Sequence, residues 1–380
     1  MARLLMVPGP TPVEPEVLLR SALPVISHTS PDFDEIHSDT LRMLGKVFGS
    51  KGRVVVLPGS GSLAMEFAAR SMVEERGERA LVLKAGFFGG YLERALRAAG
   101  AEVRVVEAPL GRGFTREDLA SALDEWNASI VAFQHVETST SVANPVGELA
   151  GEAKSRGAKV LVDGVASVGG MEMRMEEWGV DVCFTGSQKA LSTPPGLAII
   201  AYSSRASSLL DRDGEGLYFD FRRVAMEMES TRNYHFTPAV NLVYALNESL
   251  KRMISEGLEE RYRRHRALAE AVRRGLEAIG LKLVAAEGFR ADTVTAAWLP
   301  EGVQWPKLYS EMRLRGVEIA GGLGELKGRI LRIGHMGEVD ANDVIATLAA
   351  LERSLKALGI KVKLGLSVEA AQEVLSYYGL

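Results

Sequence analysis

Short, uninterrupted apolar segments separated by amphipathic helical patterns are the feature that most constrains how this chain can fold. Strands that are apolar on both faces and are separated by helices indicate a mostly parallel sheet covered on both sides. The sequence therefore predicts a doubly wound α/β domain, whose ligands bind at the C-terminal ends of the strands. The apolar segments lie at residues 53–57, 80–83, 103–106, 130–133, 160–162, 182–184 and 198–202.

The pattern changes after about residue 240. A helical pattern runs from Leu242 to Ala278, and shorter apolar segments follow at 293–299, 317–320 and 330–333. At 380 residues the chain is also longer than one hydrophobic core usually supports. We expect a large domain over residues 1–260 and a smaller C-terminal α+β domain over residues 261–380, with the boundary inside the long helix.

Charge, hydropathy and cysteine content argue against nucleic-acid binding, a membrane span and a disulfide. With 45 basic and 49 acidic side chains the net charge is −4, and no basic stripe suited to nucleic acid is present. The densest basic run, RYRRHR from Arg261, follows an acidic lead-in and predicts a solvated helix face. No run of 18 apolar residues predicts a membrane span. The single cysteine, Cys183, excludes an internal disulfide and favours a reducing, cytoplasmic location.

A glycine-rich loop after the first long apolar segment predicts a binding site for an anion. Gly59-x-Gly61-x-x-Ala64 follows a strand and opens a helix, as the dinucleotide fingerprint does. The first amides of a helix, together with hydroxyls such as those of Ser60 and Ser62, can surround a phosphate. The motif alone leaves three interpretations open, namely a dinucleotide, another phosphate ester, or a tight turn with no ligand.

Two other strand ends narrow these interpretations. Asp163 ends the strand predicted at KVLVD, and Lys189 follows the strand that begins near Val180. Because parallel strands end at one edge of a sheet, we expect both side chains beside the glycine-rich loop. A lysine, a strand-end carboxylate and a phosphate site together are the set that pyridoxal phosphate (PLP) requires. The lysine forms a Schiff base, and the carboxylate keeps the pyridine nitrogen protonated.

The segment from Asp181 to Ile199, DVCFTGSQKALSTPPGLAI, resembles the cofactor-lysine segment of the class V aminotransferases. Within that class it is most similar to the serine–pyruvate/alanine–glyoxylate family, in which Ser-Gln-Lys-Ala-Leu precedes Pro-Pro-Gly. Further motifs resembling those of the family follow in order along nearly the whole chain. They are PGPT at 8–11, GSGS at 59–62, GFFG at 86–89, HVETST at 135–140, VDGVASVGG at 162–170, YHxTP at 234–238, EGLE at 256–259 and RIGHMG at 332–337.

This resemblance implies fold type I of the PLP-dependent transferases, PLP as the cofactor, and no metal. It also implies a homodimer with active sites at the subunit interface. Lys189 would carry the cofactor, and Asp163 would face the ring nitrogen of the cofactor. Gly9 and Arg332 would bind the substrate, and the Arg332 guanidinium would bind the substrate's carboxylate. The remaining implied cofactor contacts are to the ring from Phe88, Thr138 and Val165, to the phosphate from Ser60, Gly61, Ser62 and Gln188, and to the neighbouring subunit's phosphate from Tyr234 and Thr237.

Two positions depart from the family pattern. Ser141 stands where the family usually has glycine, and Ser62 occupies a position often held by threonine or histidine. Both are small and polar, so we expect them to tune the pocket rather than to change the reaction.

The implied reaction is transamination between alanine or serine and glyoxylate or pyruvate, by a ping-pong route through pyridoxamine phosphate. No second arginine is obviously placed for a side-chain carboxylate, which favours these small donors over glutamate.

A 2-aminoethylphosphonate–pyruvate transaminase is the main alternative, although its lysine usually follows Ala-Asn rather than Ser187-Gln188. A cysteine desulfurase would need a thiol well after the lysine, whereas Cys183 precedes it. An oxidoreductase would leave Asp163 and Lys189 unexplained.

Overall fold

The structure is a computed structural model that describes residues 3–231 and 236–380. Its helices are α1 (Pro15–Ser21), α2 (Pro31–Phe48), α3 (Gly61–Met72), α4 (Phe87–Ala98), α5 (Arg116–Glu125), α6 (Val146–Ser155), α7 (Met175–Trp178), α8 (Phe221–Glu229), α9 (Val240–Glu256), α10 (Leu258–Ala278), α11 (Trp305–Leu314), α12 (Ala341–Ala357) and α13 (Leu366–Tyr378). Its strands are β1 (Leu4–Leu5), β2 (Val54–Pro58), β3 (Arg79–Lys84), β4 (Glu102–Glu107), β5 (Ile130–Gln134), β6 (Val136–Glu137), β7 (Val142–Ala143), β8 (Lys159–Asp163), β9 (Val182–Gly186), β10 (Leu197–Tyr202), β11 (Val294–Trp298), β12 (Val317–Glu318), β13 (Ala320–Gly321) and β14 (Ile330–Gly334).

A seven-stranded sheet with the order β2-β10-β9-β8-β5-β3-β4 forms the centre of the large domain. Only β10 runs antiparallel to its neighbours in this sheet, so the predicted mostly parallel sheet is confirmed. Alternate strand residues enter different cores. Val54 and Val56 pack on one face and Val55 and Leu57 on the other, which explains the uninterrupted apolar segments. Cys183 is buried in the first of these cores.

A smaller antiparallel sheet with the order β11-β14-β13 lies in the C-terminal part of the chain. Its core combines residues of α10, α11, α12 and α13 with Met6 from the N-terminal segment. The strand β1 pairs in parallel with β12, so the N-terminus joins the C-terminal layer. The predicted small α+β domain is present, whereas its boundary near residue 260 stays a prediction. Within the described parts of the chain, no helix combines the length and apolarity needed to cross a bilayer.

The segment from Leu242 to Ala278 contradicts two expectations. One long helix was expected, but α9 ends at Glu256 and α10 begins at Leu258. The residue between them, Gly257, has a φ of +88°, a conformation that interrupts a helix and favours glycine. The basic run that opens α10 is also not simply a solvated face. Arg261 is only 1% exposed, because backbone carbonyls and acidic side chains surround its guanidinium.

Candidate active site

Most of the predicted cofactor-binding residues meet in a pocket of about 790 Å³ at the C-terminal edge of the large sheet. Three strand ends supply its floor, since β2, β8 and β9 are followed by the glycine-rich loop, Asp163 and Lys189 respectively. The structure brings nine of the predicted cofactor residues to its wall, namely Ser60, Gly61, Ser62, Phe88, Thr138, Asp163, Val165, Gln188 and Lys189.

Lys189 lies in the polar turn that follows β9, and its amine points back toward the N-terminal segment. The Nζ atom donates a hydrogen bond to the carbonyl oxygen of Pro8. Gly9 lies directly against the lysine side chain, because a Cβ atom added there would be 2.5 Å from the lysine Cδ. Its φ of +123° likewise requires glycine. The N-terminal segment therefore forms one side of the lysine's surroundings, and Gly9 is next to the amine that sequence analysis singled out.

Asp163 is the last residue of β8 and is buried. Its Oδ1 accepts a hydrogen bond from the amide of Val165 at 2.9 Å. The pKa of Asp163 is raised to about 7, chiefly by burial and also by the nearby Glu137 carboxylate, while the Val165 amide and the Lys189 ammonium oppose the rise. A cationic ring nitrogen placed against this carboxylate would stabilise its ionised form.

The glycine-rich loop presents the start of α3 to the pocket. The amide of Gly59 donates to the carbonyl oxygen of Gly196 at 2.8 Å, which fixes the loop on β10. Gly61 packs so closely on Val165 that an added Cβ would lie 3.0 Å from its Cγ2. For the described residues, Ser60 makes no side-chain cap to the first turn of α3. The helix amides and dipole are therefore available to an anion.

Gln188 adds a second polar group to the same corner. Its side chain lies over Gly186, where an added Cβ would be 2.7 Å from Oε1. That oxygen is buried, and no atom of the described residues forms a hydrogen bond with it. An oxygen of this kind can accept a hydrogen bond from a donor such as water, whereas the Nε2 group of the same amide is a donor that the oxygens of an anion such as phosphate can accept from.

Phe88 is held at the pocket by a buried carboxylate to which sequence analysis assigned no role. Glu137 Oε2 accepts the amides of Phe88 at 2.9 Å and Gly89 at 3.2 Å, at the start of α4. Its Oε1 accepts from the amide and the hydroxyl of Ser139, at 2.9 Å and 2.7 Å. Glu137 thus links the aromatic ring to the segment that contains Thr138. The position of Glu137 within the HVETST motif is the sequence feature that could have pointed to this role.

Arg332 reaches the large domain from the middle strand of the small sheet, β14. It is 7% exposed, and its Nε donates to the carbonyl oxygen of Gly321 at 2.7 Å. Its Nη1 donates to the carbonyl oxygen of Thr138 at 3.2 Å. No carboxylate of the described residues comes within 4.0 Å of this guanidinium. Burial lowers the pKa of Arg332 to about 10, and the Glu137 charge opposes this. The side chain remains cationic at neutral pH and open to an external anion.

Comparison with known proteins identifies the family. A family model described as aminotransferase class V matches residues 25–324. The chain belongs to the class V aminotransferases. It is 39% identical to an uncharacterized aminotransferase of Methanocaldococcus jannaschii, over 98% of this chain and 97% of that protein. It is 34% identical to a serine–glyoxylate aminotransferase of Methylorubrum extorquens, over 98% and 95% of the two chains.

The fold comparison agrees with the family model. The crystal structure of a ureidoglycine–glyoxylate aminotransferase from Bacillus subtilis superimposes with a TM-score of 0.94 at 32% identity, covering 99% of this chain and 98% of that chain. This similarity confirms the predicted fold, and together with the family model it shows that this class V aminotransferase catalyses transamination. The relatives differ in their named amino donors, so the comparisons do not select one substrate pair.

Among the described residues, three predicted site residues of this aminotransferase are absent from the pocket wall, namely Gly9, Arg332 and Thr237. Thr237 is exposed and is absent from the wall of its own chain's pocket. Tyr234 lies outside the described residues. Of the two departures from the family pattern, Ser62 lines the pocket, but Ser141 does not. Ser141 has a φ of +57°, which explains why glycine is usual there, and its hydroxyl accepts the amide of Ala296 at 3.1 Å.

The charged groups of the site influence one another. The pKa of Lys189 is lowered to about 8, chiefly by burial and also by the Arg332 charge, while the Asp163 charge opposes the fall. A lysine with this pKa holds a substantial neutral fraction near physiological pH, as an amine nucleophile must. The pocket therefore brings together the Lys189 amine, a buried carboxylate and an uncapped helix start, and the Arg332 guanidinium is hydrogen-bonded to Thr138 in its wall.

Proposed function

We propose that this aminotransferase uses PLP to move an amino group between a small amino acid, alanine or serine, and glyoxylate or pyruvate. The observation that carries the proposal is the meeting of Lys189, Asp163 and the glycine-rich loop in one pocket, with Arg332 across the domain interface. A lysine, a carboxylate and an anion site on separate strand ends are what PLP binding needs.

The residues present fit the cofactor. Lys189 would hold the aldehyde carbon and Asp163 the protonated ring nitrogen. The uncapped amides at the start of α3 and the Nε2 donor of Gln188 would hold the phosphate, since phosphate oxygens accept hydrogen bonds. Phe88 and Val165 would contact the two ring faces, and Thr138 the phenolic oxygen. When bound, PLP would supply an electron-withdrawing ring that takes up the charge left on the substrate α-carbon.

The chain's own residues would then orient the substrate and transfer its proton. Arg332 would bind the substrate carboxylate with N–H groups that are not donated to Thr138 and Gly321. The Lys189 amine would act as the base that takes the proton from the substrate α-carbon and holds it for return. Asp163 would keep the ring nitrogen cationic throughout. Both half-reactions use the same groups, so the kinetics should be ping-pong.

Glyoxylate is proposed as the main acceptor because the serine and ureidoglycine enzymes described above both carry it in their names. Alanine and serine are proposed as donors because, of the described residues lining the pocket, only Lys189 and Arg94 are cationic. Arg94 is exposed and lies near Tyr91 on the outer part of α4. A second carboxylate on the donor would therefore lack an obvious buried partner.

A homodimer with shared active sites is part of the proposal. Thr237 is exposed and does not line the pocket of its own chain, which suits a residue that contacts the neighbouring subunit's phosphate. Exposed apolar side chains on and after α1, including Leu19 and Val25, offer surface for subunit contact. A cytoplasmic location is proposed from the single, buried Cys183. Sedimentation of the purified protein tests the dimer directly.

Absorbance spectroscopy of the PLP-loaded protein tests the function. Visible absorbance should disappear on addition of L-alanine or L-serine and should return with glyoxylate. L-glutamate should act more slowly. Lys189→Ala should remove both the absorbance of the lysine-bound cofactor and turnover, whereas Lys251→Ala, which changes a surface lysine, should leave both intact. Retention of the visible band and of turnover by Lys189→Ala would refute the assignment.

A further inference from the structure

Arg261 contacts two loops of the active site from behind. Its Nε donates to the carbonyl oxygen of Gly169 at 2.8 Å, in the loop that follows Asp163. Its Nη2 donates to the carbonyl oxygen of Ala190 at 2.9 Å, directly after Lys189. The planar guanidinium can donate hydrogen bonds to both carbonyl oxygens at once because its N–H groups diverge in a fixed geometry. One side chain on α10 therefore joins the segment carrying the carboxylate to the segment carrying the amine.

The charge of Arg261 is compensated at the junction of the domains. Its Nη1 forms ion pairs with Glu256 at 2.7 Å and with Glu338 at 3.3 Å. Glu256 ends α9, just before the Gly257 break, and Glu338 lies just before α12 in the small domain. A buried arginine needs such partners, since an uncompensated buried charge is strongly destabilising. The pairing extends the contacts of Arg261 from the two loops to the small domain.

A second contact, one helical turn further along α10, reaches the segment that follows the Arg332 strand. The amide of Gly337 donates to His265 Nε2 at 3.0 Å, so that nitrogen carries no proton. The other ring nitrogen, Nδ1, must then donate to the carbonyl oxygen of Arg261, 2.8 Å away. Burial lowers the pKa of His265 well below its usual range, in agreement with a neutral ring. Gly337 also lies against Ser192, where an added Cβ would be 2.5 Å from the hydroxyl oxygen.

We propose that Arg261 is a positioning residue for transamination, which fixes the Lys189 turn relative to Asp163 and to the strand of Arg332. The spacing between the amine and the guanidinium has to match the distance from the α-carbon to the carboxylate of an amino acid. Arg261 and His265 hold the two ends of that spacing on one rigid helix. The inference rests on the proposed roles of Lys189 and Arg332.

Arg261→Lys is the decisive variant. A lysine keeps the charge beside Glu256 and Glu338, but a single ammonium group lacks the fork that reaches two divergent carbonyls. In the PLP-loaded enzyme we expect the maximal rate of the half-reaction with L-alanine or L-serine to fall about 10- to 100-fold, with the half-saturating concentration changed less than about threefold. Arg261→Met should give a larger loss of rate.

Arg263→Lys is the matched control, because Arg263 lies two residues further on the same helix, pairs with Glu260 and is 40% exposed. Its half-reaction should match that of the wild type. Hydrogen exchange of the protein without cofactor gives a readout independent of activity. Amides of residues 187–193 and 335–339 should exchange faster in Arg261→Lys and not in Arg263→Lys, since Ser192 N and Gly337 N lie in these segments.

The outcomes separate the two proposals. Loss of the maximal rate in Arg261→Lys, with the visible absorbance retained, supports a positioning role. A wild-type rate overturns it, and so does a change confined to the half-saturating concentration or to the unfolding temperature. Arg261→Lys still decides the matter if Arg261→Met does not fold. Lys189→Ala is judged by its own absorbance and turnover, so a failure of the proposed function is recognised independently of the Arg261 variants.

Discussion

The guanidinium of Arg332 donates a hydrogen bond to the carbonyl oxygen of Thr138, 3.2 Å away and 194 residues earlier in the chain. This contact joins the small sheet to the loop that follows β6 in the large domain. A guanidinium has five N–H donors, and the contacts to Thr138 and Gly321 use two of them. The remaining donors can hold a carboxylate in two-point geometry without disturbing the link between the domains.

Arg332→Lys should therefore weaken substrate binding more than it slows chemistry. An ammonium group cannot donate to two carbonyls and also form a two-point contact with a carboxylate. We expect KM for the amino acid and for the oxo acid to rise about 10- to 100-fold each, as losing about 1.5–3 kcal/mol of charge-assisted hydrogen bonding implies. Steady-state kinetics with both substrates varied provides the measurement.

Arg329→Lys supplies the comparison for that experiment. Arg329 lies just before β14, and its guanidinium stacks over the ring of Trp298 with 5.1 Å between the charge centre and the ring centroid. Within the described residues, Arg329 forms no hydrogen bond with Thr138 or with Gly321. Unchanged KM values in Arg329→Lys are expected. An Arg332→Lys enzyme with wild-type KM for both substrates would exclude the clamp.

Glu137 is surrounded by donors. Three of its partners are backbone amides, and the fourth, the Ser139 hydroxyl, already accepts a hydrogen bond from the amide of Phe87 at 3.0 Å. Burial raises the pKa of Glu137 above its ordinary value, although these hydrogen bonds oppose the rise. Because amides cannot accept a proton, the arrangement fits the ionised carboxylate.

Glu137→Gln should loosen the cofactor. The amide side chain keeps the shape but has only one acceptor oxygen, so its NH2 group must face the amides either of Phe88 and Gly89 or of Ser139, and the link that fixes the aromatic ring is broken at one end. We expect PLP to dissociate about tenfold faster, corresponding to about 1.4 kcal/mol, in stopped-flow or dialysis measurements. Glu107→Gln is the control, because Glu107 pairs with Lys84 at the surface. Equal dissociation rates for wild type and Glu137→Gln would contradict a role for Glu137 in holding Phe88.

The large sheet and the position of Lys189 and Asp163 at the same edge of it could be predicted, because both follow from the sequence pattern of single strands. Apolar segments with two buried faces specify central parallel strands, and parallel strands end at one edge. These rules hold wherever the strand is buried, so they needed no knowledge of distant contacts. The family resemblance then supplied Arg332, which no local rule places beside the pocket, since its strand belongs to another sheet.

The errors lie where distant contacts override a local pattern. The helical periodicity continues across Gly257, so only its φ of +88° shows that α9 and α10 are separate. The basic run from Arg261 has the composition of a solvated face, yet carbonyl oxygens from Gly169 and Ala190 compensate its first arginine. A single helix pattern contains no information on which remote carbonyls will surround it. The role of Glu137 was missed for the same reason, because its partners lie at the start of α4.

Asp163→Asn should stabilise the protein without cofactor while it impairs catalysis. The folded pKa of Asp163 is about 7, against an ordinary value of 3.8. Between these values the folded state binds a proton that the unfolded state lacks, so this group's contribution to stability falls as pH rises through that window. Asparagine does not ionise, so the variant does not lose stability as the pH rises. We expect its free energy of unfolding at pH 8 to exceed that of the wild type by about 1–3 kcal/mol.

Urea unfolding of the two cofactor-free proteins at pH 5 and pH 8 tests this expectation, and the gain should shrink at pH 5. Asp213→Asn is a suitable control, since Asp213 is exposed and its ion pair with Arg222 lies at the surface. Its free energy of unfolding should change by less than about 0.5 kcal/mol. With PLP bound the Asp163→Asn advantage should disappear, because the ring nitrogen then stabilises the carboxylate. A destabilised cofactor-free Asp163→Asn protein would contradict the argument.

The pH at which the cofactor-free protein captures PLP should follow the charges around Lys189. Only the neutral amine attacks an aldehyde, so the capture rate should rise with pH with a midpoint near 8, the pKa of Lys189. The Arg332 charge lowers this pKa and the Asp163 charge raises it. Stopped-flow absorbance should therefore give a higher midpoint in Arg332→Gln and a lower one in Asp163→Asn. Midpoints that move in the same direction, or a wild-type midpoint near that of free lysine, would refute this electrostatic coupling.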